Sequence, residues 1–200
     1  MLLVIETAAA ACSTALLGVD DALIDERHEI VGRGHAERLV SMIAELLGGR
    51  RPDAILVDCG PGSFTGVRVG IAAARGLAIG WGVPVGGYSS LAALAAASGA
   101  RDVAAALQGG HGELFVQSFA GDPLAPADDL RSMPPHAAAA AVAAELVTGS
   151  GAEALVAARG WGRAADGLPR AAHARLLPPA LRALPPKPIY GRAPDARPMG

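Results

Sequence analysis

Apolar and polar positions follow two different periods along the first hundred residues. Leu2-Leu3-Val4-Ile5 is a short unbroken apolar run, the pattern of a buried strand. Thr7 to Ala11 can turn the chain, and Ser13 to Val19 reads as a second strand. Asp20-Asp21 is a tight polar link into a third, Ala22 to Ile30. There Leu23, Asp25, Arg27 and Glu29 alternate with Ile24, Glu26, His28 and Ile30. Three strands joined by short links predict an antiparallel meander. The period then lengthens. In His35 to Leu47, Leu39, Met42, Ile43 and Leu46 fall on one side, widened by Val40 and Leu47, with Glu37, Ser41 and Glu45 opposite. This predicts an amphipathic helix stopped by Gly48-Gly49. Ala54-Ile55-Leu56-Val57 reads as a fourth strand. A glycine-rich loop follows, then a second helix from about Val67 to Trp81, ended by Gly82-Val83-Pro84. Val85 and its neighbours form a short strand, and Ser89-Ser90 are placed to cap a third helix running through Ala97.

A meander followed by alternating strands and helices is the element order of a ribonuclease-H-like or actin-like lobe, so the expected class is α/β. The second half carries weaker signals. Val103 to Gln108 and Leu114 to Phe119 predict a strand pair around Gly109-Gly110-His111-Gly112. Ala137 to Glu145 predicts an Ala-rich helix, Leu146 to Gly151 a strand end with a turn, and the tail from Leu177 is Pro-rich. The expected organisation is a full N-terminal lobe over 1–98 and a shortened C-terminal lobe over 99–200.

Composition narrows the functional classes. Hydrophobic residues make up 52% of the chain but aromatics only 4%. The core is therefore built from small aliphatic contacts, with few rings to stack on bases. With 17 Lys and Arg against 19 Asp and Glu, the net charge is -2 and no basic run stands out. Strong direct binding to tRNA is not expected, because phosphate contacts need clustered cations. The two cysteines, Cys12 and Cys59, are far apart and read as buried small residues of a cytosolic, cytoplasmic protein. The apolar N-terminus is interrupted by Glu6 and has no preceding Lys or Arg, so it is expected to be folded strand, with no membrane span.

The glycine-rich loop, Gly60-Pro61-Gly62-Ser63-Phe64-Thr65-Gly66, sits between a strand and a helix. Glycines permit positive φ and close backbone approach. Ser63 and Thr65 can cap the orphan N–H groups of the helix, and the same groups can bind an anion. Both uses remain open at this point. Val67-Arg68 follow where a Walker A loop needs Lys and Ser or Thr, so that motif is excluded. The histidines, His28, His35, His111, His136 and His173, show no metal-ligand spacing, and Ser63 lacks a nucleophile elbow. No catalytic residue and no metal site is identified.

The run from Gly60 to Gly70, GPGSFTGVRVG, resembles the signature of the TsaB (YeaZ) family. His35-Ala36-Glu37-Arg38-Leu39, Ser89-Ser90-Leu91, Gly112-Glu113 and Pro188-Ile189-Tyr190-Gly191-Arg192 resemble further family motifs in the same order. The likeness is strong over residues 1–95 and patchy beyond. It implies an actin-like ATPase fold without ATPase activity and no cofactor of its own. It also implies a cytosolic TsaD-like partner that transfers threonylcarbamoyl to the adenosine beside the anticodon of tRNA, completed by a small TsaE-like ATPase. Three departures matter. The family usually has Asp-Thr-Ser where this chain has Glu6-Thr7-Ala8. Its hairpin often has Asp-Ala-Arg where this chain has Gln108-Gly109-Gly110-His111. The TsaD-type His-rich motif has no counterpart in Tyr88 to Leu94.

The second helix is apolar on two faces. Val67, Ile71, Ala74 and Ala78 share one; Val69, Gly70, Ala73, Gly76, Leu77 and Gly80 cover another. Such a helix is buried on both. The covering element is either the first helix or a like-folded partner, and the family resemblance favours the partner. The expected partner-binding set is His35, Leu39, Met42, Ile43 and Leu46 with Val69, Gly70, Ala73 and Leu77. Alone, the same patch would drive a homodimer. The rival expectation is an actin-like phosphotransferase using the glycine loop and Glu6 for Mg-ATP.

Overall fold

The computed structural model describes residues 1–191. The family-like motif at 188–192 therefore has Arg192 outside the described residues. The predicted meander forms: β1 (Leu2–Glu6), β2 (Ala11–Leu17) and β3 (Leu23–Ile30) pair antiparallel in sequence order. After α1 (His35–Leu47), β4 (Ala54–Asp58) adds parallel to β1. After α2 (Phe64–Trp81), β5 (Val85–Tyr88) adds parallel to β4. The first sheet thus runs β3-β2-β1-β4-β5, and α3 (Ser90–Ala97) leads out of it.

The second half repeats this plan with shorter pieces. β6 (Asp102–Gln108) and β7 (Leu114–Ala120) form a hairpin; β8 (Ala125–Pro126) and β9 (Arg131–Met133) both pair with β7. Then come α4 (Pro135–Ala141), β10 (Leu146–Thr148), α5 (Ala152–Arg159) and β11 (Arg163–Ala165), with β10 parallel to β6 and β11 parallel to β10. The sheet order β8-β7-β6-β10-β11 is the order of the first sheet over again. Both sheets have the ribonuclease-H-like arrangement, and together they make an actin-like fold.

Three apolar clusters separate the layers. One lies between the first sheet and the helices α1 and α2, with Leu3, Ile5, Leu16, Leu39 and Met42 fully buried. A second lies between the two sheets, filled by α3 and by a 3-10 turn at Ala171–Leu176. The third lies between the second sheet and α4 with α5. Sheet faces alternate as expected: Leu3 and Ile5 point to α1 and α2, while Val4 points to the middle layer.

Three local expectations are corrected. The Ser63 hydroxyl accepts the Gly66 N–H, so α2 begins at Phe64, a turn earlier than the apolar period indicates. Ser90 is the first residue of α3 and does not cap it; its hydroxyl is drawn to Asp58 instead. The predicted helix over Ala137 to Glu145 stops at Ala141. The Arg159 guanidinium takes the carbonyls of Val142, Ala144 and Glu145, and Val142 and Ala144 are pulled into the third core. No helix among the described residues is long and apolar enough to cross a membrane.

Candidate functional site

β1 and β4 lie side by side and end on two carboxyl groups, Glu6 and Asp58, both fully buried. The Ala8 N–H donates to Glu6 Oε1 at 2.6 Å, and the Gly60 N–H donates to Asp58 Oδ1 at 2.6 Å. Ser90 Oγ lies 2.8 Å from each Asp58 oxygen. Glu6 Oε2 is buried with no hydrogen-bond partner among the described residues. Two unscreened negative charges cannot coexist in such a place. Burial pushes Asp58 up to about 7. Burial, and then the neighbouring Asp58, push Glu6 well above the usual carboxylate range. Both shifts favour a proton held by the Glu6–Asp58 pair over two buried charges. Burial and the two carboxyls also push the Tyr88 phenol up; its hydroxyl donates to the Ile5 carbonyl at 3.4 Å.

The glycine loop closes over this pair by backbone contact. The Ser63 N–H donates to the Ala8 carbonyl at 2.7 Å, and the Thr7 hydroxyl donates to the Gly66 carbonyl at 2.8 Å. A Cβ on Gly62 would collide with the Ala8 carbonyl, on Gly66 with the Thr7 carbonyl, and on Gly70 with the Thr7 hydroxyl. Three glycines at four-residue spacing thus let α2 lie directly on the β1–β2 turn. Gly60 has φ +91, and its carbonyl accepts the Ser90 N–H. Of the two uses left open for this loop, the contacts support the packing one. Thr65 makes no cap, and Pro61 is buried. Phe64 and Arg68 face outward and are treated below.

The expected partner surface needs correction. Leu39, Met42 and Leu46 are wholly inaccessible, and His35 and Ile43 almost so; all but His35 belong to the first core. The His35 ring reaches inward, with Nε2 2.9 Å from the Ala9 carbonyl and 3.1 Å from the Ala11 carbonyl. Gly70 is buried against Thr7. Val69, Ala73 and Leu77 are half-buried and pack on the same core. The apolar stripe of an amphipathic helix marks its inner face, so His35, Leu39, Met42, Ile43, Leu46 and Gly70 are withdrawn from a docking surface, while Val69, Ala73 and Leu77 keep partial access. The accessible apolar residues lie opposite: Val40, which does not widen the inner stripe as expected (61% exposed), with Ala36 and Ala44 on α1, and Ile79 (85% exposed) with Ala72, Gly76 and Gly80 on α2.

On the far side of the loop the two halves of the chain leave an open cleft of about 900 Å³. The β1–β2 turn, the first turn of α2, the β6–β7 hairpin and the tail at 189–191 wall it. The Arg68 guanidinium stacks 3.5 Å above the Phe64 ring centre, and its Nε and Nη2 donate to the Tyr190 hydroxyl at 3.1 and 3.0 Å. Arg33 also lines the cleft. The tail is held there by the Ile189 N–H on the Cys59 carbonyl and the Arg75 guanidinium on the Pro186 carbonyl. Both cysteines are buried, and burial pushes Cys12 up to about 11 and Cys59 up to about 12, so neither is a ready thiolate. Among the described residues no group of three or more His, Cys, Asp or Glu side chains converges as a metal site would need. Sequence reasoning missed Asp58, Arg33 and Phe115. Asp58 had a signal: a charge closing an otherwise apolar strand. The other two depend on folding across more than a hundred residues.

Over residues 27–126, half of the chain, the sequence matches the family model described as TsaD, tRNA N6-adenosine threonylcarbamoyltransferase. It is also similar to the solved structure of YeaZ from Pseudomonas aeruginosa. The TM-score is 0.75 at 32% identity, over 88% of this chain and 89% of that one. The chain belongs to the TsaB (YeaZ) family. Among curated relatives, the tRNA threonylcarbamoyladenosine biosynthesis protein TsaB of Escherichia coli is 37% identical over 130 residues. Its namesake in Haemophilus influenzae is 39% identical over 123 residues. The matches take in 60% and 57% of this chain, and the chain spans about half the length of those relatives, 55% and 51%. Family membership fits the glycine loop, which is the longest uninterrupted part of the resemblance and the part most constrained by backbone contacts.

Proposed function

We propose that this chain is a non-catalytic, cytoplasmic partner subunit in the biosynthesis of threonylcarbamoyladenosine in tRNA, docking onto a TsaD-like transferase subunit. A TsaE-like ATPase completes the assembly. The observation that carries the reading is a strip of accessible small and apolar residues on each of the packed helices α1 and α2, with Val40 and Ile79 its large members. Small residues around it, Ala36, Ala44, Ala72, Gly76 and Gly80, let a second helix pair approach closely. Single exposed apolar residues are ordinary, but a strip along two neighbouring helices marks an interface. Without its partner the strip would join two copies of this chain about a two-fold axis.

A catalytic reading finds less support. The acid at the end of β1, which the phosphotransferase rival needs for Mg-ATP, is buried beneath the glycine loop, accepts the Ala8 N–H, and is pushed by burial and by Asp58 well above the usual carboxylate range. The reading therefore includes no metal-nucleotide cofactor gripped by Glu6. The test is reconstitution of tRNA modification from TsaD-like and TsaE-like subunits, with and without this chain, using Ile79→Glu and Val40→Glu. The expected outcome is product only with the wild-type chain, and loss of TsaD capture by more than tenfold in either variant with unchanged folding. Full product without the chain would refute the proposal. Ala73 and Leu77 are unsuitable probes, since Glu there would enter the first core.

A further inference from the structure

A second cluster of titratable side chains lies apart from the carboxyl pair, and none of its members lines the cleft. It fastens the 3-10 turn at Ala171–Leu176 to the first sheet. Ser13 on β2 sits opposite His28 on β3, and Glu26 is two residues along β3, on the same face. From the other side, Arg170 Nη2 lies 2.5 Å from Glu26 Oε2. The Ala171 N–H donates to Ser13 Oγ at 3.1 Å, and the Ala172 N–H to Glu26 Oε1 at 3.3 Å. The Arg170 N–H donates to His173 Nδ1 at 3.3 Å. These bonds seat Ala171, Ala172, Ala174 and Leu177 in the middle layer, against Val4, Ala15, Leu17 and α3.

Two features make the fastening sensitive to protons. His173 accepts the Arg170 N–H through Nδ1, so that nitrogen must be bare; an imidazolium would set donor against donor. His28 Nδ1 is buried with no hydrogen-bond partner among the described residues, so no acceptor waits for a second ring proton there. The charges facing His28 are Arg170 and Glu26; those facing His173 are Arg170, Glu26, His28 and Arg175. Of the other elements packed on the turn, α3 carries no charged residue, β1 only Glu6, held in the carboxyl pair, and β2 only Cys12, on the sheet's other face. Burial, and then Arg170, hold both rings below the ordinary histidine value. Neutral rings thus stabilise the fastened form. That contribution is complete above about pH 6.5 and fades as pH falls below it.

We propose that residues 170–177 form a proton-released strap: uptake of protons by His173 and His28 frees the turn from β2 and β3 and uncovers the middle layer between the two sheets. The Arg182–Asp21 pair and the Leu184–Gly87 bridge tie the following chain independently, so release is local. The device stands apart from the docking role, since it involves no residue of α1 or α2.

The test is amide hydrogen exchange of the full chain at pH 7.5, 6.5 and 5.5, read by mass spectrometry and corrected for the intrinsic pH dependence of exchange. Protection over 170–177 is expected to fall more than tenfold from pH 7.5 to 5.5, while β10 and α5 change less than twofold. The direction separates the strap from the carboxyl pair, whose contribution grows toward acid pH. Glu26, held by Arg170 below the usual carboxylate range, keeps its charge across this window. His173→Asn places an amide oxygen near the position of Nδ1 and takes up no proton; combined with His28→Gln it should leave less than a threefold fall. Unchanged protection of the wild-type strap between pH 7.5 and 5.5, or an equal fall in the double variant, would overturn the proposal. An NMR titration of the wild-type histidine rings needs no variant. The His173 signal should titrate below about pH 6.5, with the midpoint of the exchange change; a midpoint at or above the ordinary value would equally overturn it.

Discussion

At the scale of single residues, the buried carboxyl pair dictates a pH dependence. The folded-state pKa of Asp58, about 7, and that of Glu6 both lie above the values these groups have in an unfolded chain, near 4. Each contribution to stability is complete below about pH 4 and is lost as pH rises toward the folded-state value, about 7 for Asp58, with a slope approaching about 1.4 kcal/mol per pH unit for each group. Melting temperature should therefore fall between pH 5.5 and 8.5. Glu6→Gln, whose amide can donate in place of the pair's proton, should flatten more than half of that fall; an unchanged slope in the variant would show that other groups cause it. Glycines supply a second residue-scale contrast. Gly66→Ala forces a Cβ into the Thr7 carbonyl and should cost about 3 kcal/mol or more, by analogy with overpacked cores. Gly76 sits mid-helix with open space around it, and Gly76→Ala should gain about 0.5–1 kcal/mol. Urea melts of the two variants should shift in opposite directions.

At the scale of elements, legibility followed the length of the apolar period. α1 was readable to both ends, because thirteen residues hold one stripe and a glycine in the left-handed region stops them. α2 was readable in type but not in its start, which depends on one hydroxyl. What periodicity gives is the inner face, and that is why Leu39, Met42 and Leu46 were misread as a docking surface. The outer face has no pattern of its own; Val40 and Ile79 emerge only when burial is known. A prediction belongs here too: Ile79→Glu should change stability by under about 0.5 kcal/mol, as exposed substitutions do, while abolishing both TsaD capture and any homodimer in sedimentation. The turn at Ala171–Leu176 was invisible in the sequence, since its anchors are distant. Arg170 pairs with Glu26, and the Ala171 N–H donates to Ser13 Oγ. Burial pushes the Glu26 carboxyl up, but Arg170 outweighs it and holds the group below its usual range, so its contribution is present above about pH 4 and fades as pH falls. Arg170→Met should cost about 1–2 kcal/mol, a figure reduced for the partly exposed arginine, and less of it at acid pH.

At the scale of the whole molecule, the actin-like plan was legible from element order alone, and the second half could be read only as a weak echo. The structure shows why the echo is weak. The repeat is kept in strand order, while every strand after the β6–β7 hairpin shrinks to two or three residues and the helices to seven or eight, too short for a period to register. Short strands carry little local preference of their own, so their place comes from neighbours in the sheet. The segment at 171–177 has a further consequence, for the order of synthesis. It forms part of the middle layer, against β1, β2 and β3, and closes a face of the first sheet with residues that leave the ribosome more than a hundred positions later. Until 171–177 has been made, that face of the first sheet, to which Ala15 and Leu17 belong, lacks one of its covering segments. Closure of the middle layer is thereby tied to late synthesis, and a nascent chain stalled before residue 171 is a form exposed to chaperones.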